Sequence, residues 1–422
     1  MRTQTTTLPT RATLVSLALS VLTAASAPAA ITAIDAKPAA TLLLPFFAVD
    51  TSSSGSSTFP GEREAPFQGI NTVATIHNAS GQRVIAHGVL WTDWGVPTIS
   101  FNVGLQPHGT RELNLHHILE GRLPSLDGFG DLPDCESGND PDAIYRDLTP
   151  EEVIAAHTGQ ASAGDQCFGA DHGDGKARGY LTIDVVRSCT LQVPGEPGYF
   201  VSGGQGVAQN DNVLFGEYLL IDPQDEVAHG ESLVHIEADA ADPETAVPGE
   251  YTFYGSKLSP KWTASDNREV LATNWSSRYS VAGIFDSTRL IVWRDTREES
   301  PNPRSCDSSP SWFPLGQEQI VVFDEDMNPV VPVQGEPYPI ASHPFPLATQ
   351  MVDVAGDVGT SFSAGWMFLN LNQGDSDTGT GPTEDPDARQ AYVAILPSSS
   401  GRFRTGAQAV ALDNAANAQH NH

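Results

Sequence analysis

The sequence predicts an all-β protein made of two tandem immunoglobulin-like β-sandwich domains, the second repeating the first, with a loop-rich insertion in the first. Three observations carry this reading. Short β-branched and aromatic runs alternate with Gly, Pro, Asn, Asp and Ser punctuation along most of the chain. Helical character is confined to one short segment. The apolar runs of the second half also follow the order of those in the first. At 39% hydrophobic and 18% charged residues, the 422-residue chain has the composition of a folded protein with room for more than one core.

The strands follow in order. Thr72 to His77 (TVATIH) ends at the turn Asn78-Ala79-Ser80-Gly81. Val84 to Trp94 comes next, then Thr98 to Leu105, where Ile99, Phe101, Val103 and Leu105 share one face of a half-buried strand. Pro107-His108-Gly109 turns into Thr110 to Leu115. A long insertion, residues 125–177, separates these from Gly179 to Val186, Val213 to Ile221 and Ser232 to Ala238. Such spacing is that of a sandwich. The one helix starts at Thr149, which can cap, with Pro150 in the first turn and Glu151 and Glu152 near the positive helix end.

In the second half, Glu269 to Trp275 mirrors TVATIH, and Thr288 to Asp295 (TRLIVWRD) mirrors the strand holding Leu90-Trp91-Thr92-Asp93. Gln319 to Asp324 fills the next slot, Gly365 to Leu371 (GWMFLNL) mirrors GYLTIDV, and Gln390 to Pro397 mirrors Glu217 to Pro223. The domains are expected at 38–241 and 266–414, with a boundary near Asp242 to Asp266 and a disordered tail at 415–422.

The N-terminus reads as a secretory signal peptide over residues 1–27. Arg2 and Arg11 precede the apolar run Leu14 to Leu22, which is too short to span a bilayer, and Ala25-Ser26-Ala27 is a small-residue cleavage signal. Export to the periplasm or beyond suits four cysteines, Cys135, Cys167, Cys189 and Cys306, read as two disulfides. Of three connectivities, Cys135–Cys167 and Cys189–Cys306 are preferred. No C-x-x-C pair occurs, which argues against zinc.

With 52 acidic against 22 basic residues, a net charge of −30 and four lysines (Lys37, Lys176, Lys257 and Lys261), the chain repels phosphate backbones, and nucleic acid is excluded as a partner. The stretch Leu90 to Val103 (LWTDWGVPTISFNV), with Ala40 to Val49 and LIVWRD, resembles a signature of an uncharacterised group of exported bacterial proteins. The resemblance implies export and the β fold, and carries no activity or functional residue with it.

No catalytic constellation is present: no G-x-S-x-G, no H-E-x-x-H, no P-loop and no G-x-G-x-x-G. Asp377-Thr378-Gly379 matches an aspartic-protease triplet but sits in a low-complexity loop without a second copy. His116-His117 would face opposite ways at a strand end. Oxygen-rich loops are the remaining candidates for a metal: Asp171 and Asp174 before a strand, and Asp324, Asp326 and Asn328 at a turn, both suited to calcium. The expected function is therefore a non-catalytic structural or binding role toward a protein or glycan partner. The alternatives are a secreted hydrolase using carboxylates of the insertion, and a calcium-dependent binding module.

Overall fold

The computed structural model describes residues 37–51, 69–136, 138–140, 144–161, 166–223, 227–248, 252–258, 265–283, 285–295, 304–305, 320–329, 347–358, 360, 362–371, 390–399, 403–404, 407–408 and 410–411. The signal segment, Cys306, the triplet at Asp377 and the tail lie outside these. The described residues are mostly antiparallel β-structure, as expected.

The first half lays down β1 (Thr41–Asp50), β2 (Asn71–Asn78), β3 (Val84–Thr92), β4 (Pro97–Leu105) and β5 (Thr110–Asn114). Two helices follow, α1 (Leu115–Leu119) and α2 (Pro150–Thr158), then β6 (Gln166–Cys167), β7 (Lys176–Val186), β8 (Leu214–Asp222), β9 (Val227–Ser232) and β10 (Val234–Ile236). The second half contributes β11 (Asn274–Ser280), β12 (Ser287–Arg294), β13 (Arg304–Ser305), β14 (Ile320–Asp324), β15 (Thr349–Asp353), β16 (Ala364–Asn370) and β17 (Ala391–Ser399), with β18 (Phe403–Arg404), β19 (Ala407–Gln408) and β20 (Val410–Ala411) at its end. The sheets run β10-β1-β7-β3-β4 and β5-β2-β8-β9 in the first half, and β15-β12-β17-β18 and β14-β16-β11-β20 in the second.

Strand β1 explains how the halves meet. Its run TLLLPFFAV is buried at every position, because both faces of its sheet are covered. Leu42, Leu44, Phe47 and Val49 join Leu181, Ile183 and the β2 residues Ala74 and Ile76 in one core. Leu43, Phe46 and Ala48 join Trp91, Tyr180 and Trp293 in the other. The side-chain parity changes at Pro45, where the β1–β7 register shifts between Leu44 and Phe47. Proline has no ladder donor and belongs at such a bulge. The second core runs without a break into the second half: Tyr180 meets Trp293 edge-on at 6.0 Å and Phe253 stacks on Trp293 at 5.6 Å. Ala348 N–H donates to the Asp93 carbonyl at 2.8 Å, and Thr349 Oγ1 donates to that of Pro45.

The two halves share a pairing order. β2 pairs with β5 and β8, and β3 with β4 and β7. In the same chain order β11 pairs with β16 and β20, and β12 with β15 and β17. Trp91 stands opposite Tyr180 as Trp293 stands opposite Tyr392. By pairing partner alone, β17 rather than the GWMFLNL strand β16 is the counterpart of β7, since each pairs with the Trp-bearing strand. Apolar strands resemble one another too closely for sequence to choose between them.

Three further expectations are corrected. Strand β4 is buried on both faces rather than one, with Ser100 and Asn102 as enclosed as Phe101. The insertion covers the second face: Ser100 N–H donates to the Ile144 carbonyl at 3.0 Å, and Asn102 and Asn139 exchange side-chain and backbone hydrogen bonds. His116 and His117 lie on α1 rather than at a strand end, because the Asn114 side chain accepts from both of their N–H groups. The disulfide is Cys135–Cys189, with Cα atoms 4.9 Å apart, not Cys135–Cys167. Cys167 is also disulfide-bonded, and its strand β6 pairs with β13. Helix α2 forms as expected: Thr149 Oγ1 accepts from Glu152 N–H, the Glu152 carboxylate accepts from Thr149 N–H, and Gly159 closes the helix at φ 72°.

A buried polar cluster ties the segment around residue 268 to β7. Asp184 accepts from Thr41 Oγ1, from Tyr199 at 2.7 Å and from Tyr254 at 3.1 Å. The fully buried Arg268 guanidinium lies 3.9 Å from Asp184 and donates to Thr41 Oγ1, Asn210 Oδ1 and the Gln209 carbonyl. Burial first, and then the Asp184 charge, push both tyrosine hydroxyls well above their ordinary pKa, so they stay protonated donors.

Candidate functional site

Ends of β1, β7, β8 and β9 meet ends of β12, β15 and β17 around a cavity of about 280 Å³, lined from both halves of the chain. Its apolar wall includes Phe46, Ile70, Leu220, Met351 and Leu396. Charged groups come from the strands themselves. Lys176 and Arg178, two apart on β7, share a face. Arg289 on β12 stands directly across from Asp353 on β15 and from Leu396 on β17.

These charges are not equally committed. Arg178 closes a two-pronged pair with Asp174 at 2.8 and 2.6 Å, and its guanidinium pulls that carboxyl down to about 2. Among the described residues, neither the Lys176 ammonium nor the Arg289 guanidinium closes an ion pair, although Arg289 and Asp353 are cross-strand neighbours. Both residues line the cavity without a close ion pair among the described residues, Lys176 feeling Asp174 only at longer range.

Two histidines border the same space. His172, about a third exposed at 32%, is held by Asp93, whose Oδ2 lies 3.0 Å from His172 Nε2. Asp93 is fully buried and also accepts from Ala170 N–H at 3.0 Å. Burial raises its carboxyl above the ordinary range, and the His172 bond opposes that rise. His229 is 2% exposed. Its Nε2 lies 3.2 Å from the Tyr218 hydroxyl and 3.5 Å from Glu231, while Nδ1 has no hydrogen-bond partner among the described residues. The His229 ring thus forms part of the cavity wall with its Nδ1 enclosed rather than open to the cavity.

The candidates read from sequence fall elsewhere. Asp174 serves Arg178, and Asp171 accepts from Gly173 N–H at 2.8 Å. Asp324 accepts from Asp326 N–H and Asn328 N–H at 2.9 and 2.8 Å and from the Asn328 amide at 2.9 Å, which holds its carboxyl below the ordinary range. These bonds close a turn locally, as aspartate commonly does. Among the described residues no group of three or more His, Cys, Asp or Glu is placed to hold a metal ion. Of the insertion carboxylates, Asp131 pairs with Arg83 at 2.7 Å, and Glu136 and Asp140 border a second cavity of about 480 Å³ beside Cys135. Asp142 and Asp165 lie outside the described residues. The sequence reading did not find the cavity formed by Lys176, Arg289 and Asp353. Lys176, one of the chain's four lysines, falls within the expected insertion, and its place at the start of β7 is set by the fold.

No family model, curated protein or solved structure matches the chain. Among the described residues no helix is long and apolar enough to cross a membrane.

His157 buttresses this region from α2. Its Nδ1 donates to the Arg178 carbonyl at 2.8 Å, and Nε2 lies 2.7 Å from Thr98 Oγ1. Burial lowers its pKa to about 4 from an ordinary 6.5. The folded state thus disfavours the charged ring. The resulting stability is complete above the unfolded pKa and is lost as pH falls from 6.5 through 4. It amounts to about 3 kcal/mol on a shift of this size. Urea titrations of wild type and His157→Gln across that window are expected to show this component only in wild type.

Proposed function

We propose that this chain is an exported, non-catalytic binding protein of the cell envelope or extracellular space. It consists of two related immunoglobulin-like sandwiches whose ligand seat is the cleft between them. The observation that carries the reading is the cavity of about 280 Å³ walled by strands from both halves. Clefts between packed domains are preferred places for ligands. The apolar wall, with Lys176 and Arg289 free of close ion pairs among the described residues, supplies the mix of apolar area and a few polar groups that such sites use.

Relatedness of the two sandwiches is supported by the repeated pairing order and by its register. Trp91 and Trp293 each face a tyrosine across the sheet, and each is followed two residues later by a buried aspartate, Asp93 and Asp295. Export is supported by the basic, apolar and small-residue zones of residues 1–27 and by the disulfide-bonded cysteines.

The test is a melting-temperature screen of small molecules on the mature chain, run beside Leu396→Trp, which fills the cavity. A ligand of the folded state raises the melting temperature. Compounds that do so for wild type and not for Leu396→Trp are the expected result. A screen in which every shift is equal in the two proteins, or in which none occurs, removes the reading.

A further inference from the structure

We propose that the inter-sandwich cavity takes a zwitterion of amino-acid or dipeptide size bearing an apolar side chain. Its carboxylate would lie toward Arg289 and Lys176, and its ammonium toward Asp353. The inference rests on the binding role argued above and adds the chemical class of the ligand.

The lining carries both signs of charge in near balance: Lys176, Arg178 and Arg289 against Asp222, Asp353 and Asp357. Local pairing disposes of Arg178, which is taken by Asp174, while the Asp357 and Asp353 carboxylates each accept one backbone N–H at 2.8 Å, from Asp353 and Gly356 respectively. Arg289 and Asp353 remain across from each other on adjacent strands, with no ion pair between them, and Lys176 lines the same cavity. A guanidinium, an ammonium and a carboxylate held around one cavity, and not neutralising one another, match a ligand that brings one charge of each sign. Desolvating charges in this way is favourable only when both find partners.

The long-range field points the same way. With a net charge of −30 the protein repels a purely anionic ligand, while a purely cationic one finds acidic surface nearly everywhere. A molecule of zero net charge meets neither effect and is selected by the paired charges alone. The apolar wall of Phe46, Leu220, Met351 and Leu396 would receive its side chain. The volume of about 280 Å³ lies at the small end for ligand cavities.

Calorimetric titration of the mature chain decides it, using leucine and leucyl-leucine, N-acetylleucine (carboxylate only) and leucine amide (ammonium only). One of the two zwitterions is expected to bind, and each single-charge analogue at least about tenfold more weakly, since each leaves a protein charge unpaired. Arg289→Gln is expected to weaken the zwitterion by a similar factor; if that variant fails to fold, Lys176→Gln carries the test. The proposal is overturned if a single-charge analogue binds as tightly as the zwitterion, if neither zwitterion binds below about 10 mM, or if the folded variants bind unchanged. Screening hits that Leu396→Trp abolishes, in the absence of zwitterion binding, overturn the ligand class and leave the cleft as the binding seat.

Discussion

Arg268→Met is expected to lower the stability of the folded chain by about 3 to 5 kcal/mol, the range for removing one partner of a buried charge pair. The side chain is fully buried and sits 5.1 Å over the Phe200 ring. Its loss strands the Asn210 oxygen, the Gln209 carbonyl and Thr41 Oγ1 without a donor from Arg268, and removes the cation nearest Asp184. Methionine restores most of the packing volume but none of the donors. Adding Asp184→Leu to Arg268→Met is expected to recover only part of the loss. The second change removes the uncompensated charge but also takes the acceptor from the Tyr199 and Tyr254 hydroxyls. Urea denaturation of the two single variants and the double variant measures the coupling. A loss below about 1 kcal/mol for Arg268→Met would mean that the cluster contributes little to stability.

Arg268 also marks where the sequence stops being readable. It lies at the edge of a Pro- and Gly-rich stretch taken for a domain boundary, and no periodicity flags it as buried. The features that could be read were local ones. Thr149, Pro150 and Glu152 specify a helix start through bonds within one turn, and α2 forms there. Alternation over Ile99 to Leu105 specifies strand β4, but not that the insertion would close over its other face. Two-sided burial is a property of what packs on a strand, and Ser100 and Asn102 look solvent-facing until Ile144 and Asn139 are in place.

The candidate site follows the same rule more strictly. The acidic loops singled out from sequence are clusters in the chain, and local clusters mostly satisfy themselves: Asp324 with Asn328, Asp174 with Arg178. The cavity draws Lys176 from β7, His229 from β9, Arg289 from β12 and Asp353 from β15. Each comes from a different strand, far apart in the sequence, and only the docking of the two halves brings them together.

Removing the Cys135–Cys189 bridge by a double alanine substitution is expected to cost about 4 kcal/mol, from the chain entropy of closing a 54-residue separation. The bridge sits in a small core of its own with Ile85, Phe129 and Val186, and Cys189 N–H donates to the Pro133 carbonyl at 3.1 Å. It therefore clamps the start of the insertion to the chain just beyond the C-terminal end of β7. The cavity lies at the other end of that strand, at Lys176 and Arg178. Eleven residues of extended chain separate the two ends by roughly 35 Å. Without the bridge the protein should melt lower and be cut faster by protease within residues 125–177, with ligand affinity at the cavity unchanged at temperatures where it is still folded. Peptide mapping under non-reducing conditions supplies the check on connectivity. A Cys135–Cys189 linked peptide is expected, and with it one joining Cys167 to Cys306, the fourth cysteine of the chain. A Cys135–Cys167 peptide would instead place the clamp within the insertion and leave β7 untied, and the predicted proteolysis in the alanine variant would then lose its cause.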